Sequence, residues 1–100
     1  MLIRTEGRTL RVEGEVDLSN AHELAGAIQE ACAGGDEVLI DLSGLTFIDS
    51  SGLHAIDRVA ATVPGGTPVV LLDVPPRVAR LIELLGLDRS RRLALRPRGD

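Results

Sequence analysis

The residues best suited to chemistry in this chain stand together as Asp49-Ser50-Ser51-Gly52. A carboxylate, two adjacent hydroxyls and a glycine separate an apolar run, Val38 to Ile40, from an apolar-periodic segment that opens at Leu53. The run reads as a buried strand and the periodic segment as a helix, so the tetrapeptide marks a helix start rich in capping-type residues. A helix N-terminus presents unpaired backbone N–H groups and the positive end of the helix dipole, which together accommodate a phosphate. Ser50, with Ser51 as a second acceptor, is therefore a candidate for regulatory phosphorylation. The same four residues also read as a plain helix cap, in which one side chain bonds the backbone and nothing more follows.

Other chemistries find less support in the residues. There is no glycine-rich phosphate loop ending in lysine, and the chain holds no lysine at all. The Gly-x-Ser-x-Gly pattern that would expose a hydrolase nucleophile on a sharp elbow is missing. His22 and His54 each lack the spaced partners of a metal centre or a catalytic triad. His22 reads as a surface residue, and His54 as a solvated helix residue one turn beyond Ser50. Asp17, Asp41 and Asp49 are ligand-type acids, but strand-end acids usually cap or repel; no metal, cofactor or catalytic activity is expected.

Composition bounds the setting. One hundred residues make one domain with a single core. Hydrophobic residues are 44% of the chain, with Phe47 the one aromatic, so the core must be aliphatic. No apolar run approaches the roughly 18–20 residues of a membrane span, and no basic-then-apolar leader opens the chain. A soluble, cytoplasmic protein is expected. The single Cys32 falls on the apolar stripe of a helix and reads as a small buried hydrophobe in a reducing compartment.

The net charge of −4 is unevenly spread: residues 1–73 carry twelve acids and four arginines, residues 74–100 three acids and seven arginines. An acidic body argues against nucleic acid as a partner, because phosphate backbones demand clustered positive charge. Arg89, Arg91, Arg92, Arg96 and Arg98 come without interleaved aromatics and read as a solvated C-terminal face.

The elements that would position the serines follow from periodicity. Leu2 to Thr5, a Glu6-Gly7-Arg8 turn and Thr9 onward read as a hairpin, with Leu10, Val12, Gly14 and Val16 on the dry side. Ser19 or Asn20 starts a helix, Asn20 with Glu23 fitting a capping box, and Leu24, Ile28, Ala31 and Cys32 mark its buried face. Strand Val38 to Leu42 follows, then a helix with Leu53, Ile56, Ala60 and Val63 inward and His54, Asp57, Arg58 and Ala61 outward or lateral. Val69 to Leu72 is a further strand. Pro75 or Pro76 opens a helix with stripe Val78, Leu81, Ile82 and Leu85, Gly86 ends it, and Leu93 with Leu95 forms a last edge strand. The order β-β-α-β-α-β-α-β describes an α/β sandwich on a mixed sheet, whose right-handed crossovers put Asp17 and Asp49 at one end.

The set of motifs resembles the STAS domains (sulfate transporter and anti-sigma factor antagonist), in particular the free-standing anti-sigma factor antagonists. Phe47, Asp49, Ser50, Gly52 and Leu53 match the family's Phe-x-Asp-Ser-x-Gly-Leu, and Gly14-Glu15-Val16-Asp17 its Gly-Glu-x-Asp element. Gly65 to Leu71 matches the following loop and strand, and Val74 to Leu87 the last helix, so the resemblance covers nearly all 100 residues. It implies a single STAS-like domain over residues 1–100, a mixed sheet of four to five strands packed by three to four helices. It implies a bacterial antagonist that binds a serine-kinase anti-sigma factor when unphosphorylated and is released once Ser50 is phosphorylated. Sigma factor availability, and so transcription, would follow that switch, and a protein phosphatase would reset Ser50. Asp17, Asp49, Ser50, Ser51, Gly52 and His54 form the implied partner-binding set, with no membrane partner. The chain departs from common members at His54, where a small residue usually follows Gly-Leu, which bears on which partner docks. The alternative is a non-switching STAS subunit of a signalling scaffold or lipid-transport complex; a small-ligand binder ranks behind both.

Overall fold

A computed structural model describes residues 1–97, so Arg98 of the C-terminal arginine group lies outside the described residues. The chain opens as a hairpin of β1 (Leu2–Glu6) and β2 (Thr9–Val16), joined by a two-residue loop in which Gly7 takes the positive φ of 62° that such tight connections need. Helix α1 (Ala21–Cys32), strand β3 (Val38–Ile48), helix α2 (Ser50–Ala60), strand β4 (Val69–Leu72), helix α3 (Pro76–Leu84) and strand β5 (Leu93–Arg96) follow in turn. Single 3-10 turns at Pro64–Gly66 and Leu87–Arg89 lead into β4 and β5. The five strands lie side by side in chain order; β1 runs antiparallel to β2, and β2, β3, β4 and β5 are parallel. The expected α/β architecture on a mixed sheet is present, with five strands and three α-helices.

All three helices cover one face. Leu10, Val12 and Val16 of β2, Val38, Ile40 and Leu42 of β3, Val69 and Leu71 of β4 and Leu93 of β5 join Leu24, Ile28, Leu53, Ile56, Val78 and Ile82 in one aliphatic core. Fully burying each such side chain contributes about 1.5–3 kcal/mol, which is the main favourable contribution to the fold. The opposite face carries the alternate residues, Arg11, Asp41, Leu72 and Arg96 in one paired row and Leu39, Val70 and Ala94 in the next. Arg96 reaches diagonally across this face to Glu37, Nη2 to Oε2 at 3.2 Å, and the register sets that bridge over Val70, which is fully buried.

β3 is longer than the apolar run at its start suggests: it continues past Leu42 through Ser43-Gly44-Leu45-Thr46-Phe47 to Ile48. Its pairing with β2 slips twice, between Arg11 and Glu13 and between Gly14 and Glu15, each slip adding one residue on β3. Each bulge reverses the in–out alternation, so Leu42, Leu45 and Ile48, spaced by three, all turn inward and Phe47 turns out, 50% exposed. A period-two reading necessarily stops at the first bulge.

Four smaller expectations differ. Asn20 stands at the N-cap of α1 but makes no side-chain cap bond, so the capping box with Glu23 is not formed; its amide is engaged by the preceding loop. Ala31 is exposed and Ala21 occupies the buried stripe instead, because the stripe runs Ala21, Leu24, Ile28, Cys32. Asp57 is buried rather than lateral: its Oδ1 accepts from Ser90 Oγ at 2.9 Å and its Oδ2 from Arg92 Nη2 at 3.1 Å. Arg92 and Arg96 are therefore partners in long-range ion pairs and not merely a solvated face. Cys32 is buried as expected, and desolvation pushes its thiol pKa up.

The Asp57 cluster pins the outer side of α2 to the segment that introduces β5. Asp57→Ala should destabilise the protein by about 1–3 kcal/mol, because it deletes the charged acceptor shared by two donors. Urea denaturation checks this, with the midpoint falling and the slope unchanged.

Candidate functional site

The site begins where two parallel strands end together. Val16 closes β2 opposite Ile48 of β3, and the Asp49 amide donates to the Val16 carbonyl at 3.2 Å. Asp17 and Asp49, the residues immediately after these paired ends, therefore stand at one end of the sheet, as the crossovers require. Asp41 does not join them: it lies within β3 on the helix-free face, 1% exposed, with Oδ1 accepting the Ser43 amide and Oδ2 3.8 Å from Arg11 Nη1. Among the described residues no group of three or more His, Cys, Asp or Glu is placed to hold a metal ion.

Asp49, and neither serine, is the N-cap of α2. Its backbone is extended (φ −103°, ψ −178°), and its Oδ1 accepts from the Gly52 amide at 3.1 Å and from Ser51 Oγ at 2.5 Å. The Ser51 hydroxyl above all, with help from the Gly52 and Ser51 amides, holds the Asp49 carboxyl below its ordinary range against the opposing effect of desolvation. The two serines are thereby made unlike. Ser51 is half-buried with its hydroxyl committed to Asp49, whereas Ser50 is exposed on the first turn and its hydroxyl makes no hydrogen bond among the described residues.

The other strand end repeats this arrangement. Asp17 Oδ1 accepts from the Ser19 amide at 2.9 Å and Ser19 Oγ at 2.5 Å, and Asn20 braces the loop by accepting the Asp17 amide and donating to the Glu15 carbonyl, each at 3.0 Å. Asp17-Leu18-Ser19 and Asp49-Ser50-Ser51 are thus two Asp-x-Ser turns that leave their middle residue outward. Leu18, 80% exposed, occupies the place that Ser50 holds in the second turn. Leu18 gives no functional signal by its residue type; the repeated Asp-x-Ser spacing after two strand ends is the sequence feature that marks it. Leu18 and Ala21 face Ser51 and Arg58 across a cleft of about 330 Å³ between α1 and α2. His54 is exposed, one turn along α2 from Ser50.

Gly52 is set by close packing. A Cβ there would fall 2.8 Å from both Val16 Cγ1 and Ile48 Cγ1, closer than real Cβ atoms approach. Only glycine lets the first turn of α2 rest directly on the paired strand ends.

Comparison with known proteins places this geometry. A family model described as "Mlab, STAS domain" matches residues 2–97, and the chain belongs to the STAS-domain family. An anti-sigma factor antagonist from Mycobacterium paratuberculosis is similar at 28% identity over 93% of this chain and 82% of that one, with a TM-score of 0.76. The phosphorylated form of SpoIIAA, a Bacillus cell fate determinant, shares the fold at 18% identity, covering 99% of this chain and 91% of that one, with a TM-score of 0.70. A chain from the complex of the diguanylate cyclase SiaD with its activator SiaC, from Pseudomonas aeruginosa, shares it at 24% identity, over 95% and 89%, with a TM-score of 0.58.

Two outcomes test the helix start. Gly52→Ala should cost about 1–3 kcal/mol in urea denaturation, although alanine is the better helix former, because the added methyl forces α2 away from the strand ends. The Asp49 carboxyl, depressed in the folded state, contributes stability that is fully present above its unfolded pKa of about 4 and is lost as the pH falls through the lower folded value. Asp49→Ala should therefore flatten this part of the pH–stability profile and lower stability at neutral pH by about 0.5–2 kcal/mol, the usual worth of a cap.

Proposed function

We propose that this chain is an anti-sigma factor antagonist controlled at Ser50. In this reading the unphosphorylated form docks an anti-sigma factor that carries serine-kinase activity, frees the sigma factor it holds, and so regulates transcription. The kinase transfers the γ-phosphoryl group of ATP to Ser50 Oγ, the hydroxyl proton leaving, and the modified antagonist is released; a protein phosphatase restores it. The chain thus acts by docking, as substrate and not as catalyst.

One observation carries the reading. Ser50 is the exposed, unengaged hydroxyl of a helix start whose neighbouring hydroxyl is held by the cap. A kinase approaching this turn meets one available acceptor, which favours Ser50 over Ser51. Membership of the STAS family and the likeness to the mycobacterial antagonist support the same assignment.

Charge supplies the switch. A phosphate adds about −1.5 to −2 charges at neutral pH. The α2 N-terminus favours that charge, while the Asp49 carboxylate beside it and Asp17 at the adjoining strand end oppose it. These opposing effects fall on an exposed turn outside the core, so the fold survives while the docking surface gains negative charge and bulk. Leu18, Ser51 and His54 surround Ser50 on that surface, Gly52 of the expected partner-binding set being buried beneath it against Val16 and Ile48, and His54 is the residue through which this chain would select its own partner.

Affinity capture from the native cells with Ser50→Ala and Ser50→Asp baits tests the proposal. The Ala bait should retain an anti-sigma factor with a kinase-type ATPase domain, and the Asp bait should bind it at least about tenfold more weakly. The two variants should melt within a few degrees of each other. Equal retention of one assembly by both baits would make Ser50 a bystander and the chain a non-switching subunit of a larger complex.

A further inference from the structure

β4 pairs with β3 only over Val38–Asp41, so beyond Asp41 β3 has no strand on that side. Helix α3 stands across the gap, leaving an open groove of about 350 Å³ lined by Leu45, Phe47, Leu81 and Leu84, with Arg77 and Arg80 along it. Two features set this groove apart from an ordinary surface. Phe47, the one aromatic residue of the chain, is turned outward into it by the second bulge, and Leu84 on α3 is 71% exposed. Apolar side chains clustered in this way mark contact surfaces, and aromatic anchors usually carry much of their binding energy.

The second feature is charge. Arg4, Arg11, Arg92 and Arg96 are each matched with an acid, whereas Arg77 and Arg80, like Arg8, Arg58, Arg89 and Arg91, enter no ion pair among the described residues. Three positions apart on α3, they leave two guanidinium groups beside an apolar floor in a chain whose net charge is −4. The complementary occupant is anionic and apolar together. The groove is too open to enclose a small ligand, whose sites usually bury most of the ligand surface, so a polypeptide segment fits it better.

We propose that this groove receives an acidic amphipathic segment of the docking partner, with apolar side chains on Phe47, Leu81 and Leu84 and carboxylates on Arg77 and Arg80. The proposal rests on the reading that the chain docks an anti-sigma factor, and adds to the Ser50 turn a second contact on the far side of Ile48. The groove supplies attraction that phosphorylation does not touch, and the Ser50 turn supplies the switch.

Photo-crosslinking on the full chain in its native cells tests this. A photoreactive residue is placed at position 84, in the groove, or at position 54, beside Ser50, and the cross-linked peptides are sequenced. Both positions should capture the same protein, and the peptide at position 84 should combine Asp or Glu with aliphatic or aromatic residues. Arg77→Glu with Arg80→Glu should cut the yield at position 84 about tenfold or more without changing the melting temperature, and Arg77→Lys with Arg80→Lys should restore most of it. Capture at position 54 alone would overturn the groove proposal and leave the proposed function standing. Capture at neither position would overturn both. At position 84, a neutral or basic peptide, a lipid adduct or a second copy of this chain would overturn the groove proposal.

Discussion

Val16 and Ile48 bring two parallel strands to a common end, and α2 must begin against them with nothing between. That contact sets the rest of the functional end of the molecule. Because Gly52 lies directly on the two side chains, the residue three places earlier is held where its carboxylate meets the Gly52 amide. Asp49 is then fixed by a backbone bond behind it and a cap bond ahead of it, and the Ser51 hydroxyl completes its shell. The exposure of Ser50 is what remains once these neighbours have been satisfied.

Two hydroxyls one residue apart in sequence thus receive different roles from their surroundings alone. Ser51 stabilises a carboxylate and is drawn against the protein; Ser50 faces water at the positive end of an eleven-residue helix. The adjoining Asp17 turn uses the same local bonding and exposes leucine in place of serine. One end of the sheet therefore presents an apolar contact and a hydroxyl side by side on equivalent loops, the mixture that protein–protein interfaces use.

Much of this is legible in the sequence alone. Element order, the hairpin, β4, the stripe of α3 and the placing of Asp17 and Asp49 at one sheet end follow from periodicity, glycine and proline positions, and crossover handedness. What escaped was what depends on distant or irregular partners. The second half of β3 hides behind two bulges that turn an alternating strand into a spacing of three. The burial of Asp57 depends on Ser90 and Arg92, more than thirty residues away, and on its own helix it resembles a solvated acid. Asn20 carries a strong capping signature, yet the Asp17 turn claims its amide first. At the site, the sequence placed a helix start at Asp49-Ser50-Ser51-Gly52 but could not say which of three capping-type residues would cap. That choice is made by the fit of Gly52 between Val16 and Ile48.

The strand order, identical to the chain order, bears on how the molecule assembles. Each strand adds beside the one just before it, so no step needs to insert a strand between two already formed. The hairpin offers a local start, and each parallel addition closes only the helix-length loop behind it, which keeps the entropy of closure modest. Of the five strands β5 is made last, and Arg92 just before it and Arg96 at its end reach back to Asp57 on α2 and to Glu37 before β3. A nascent chain can build its sheet progressively from the N-terminal end, and the final segment fastens layers that are already in place.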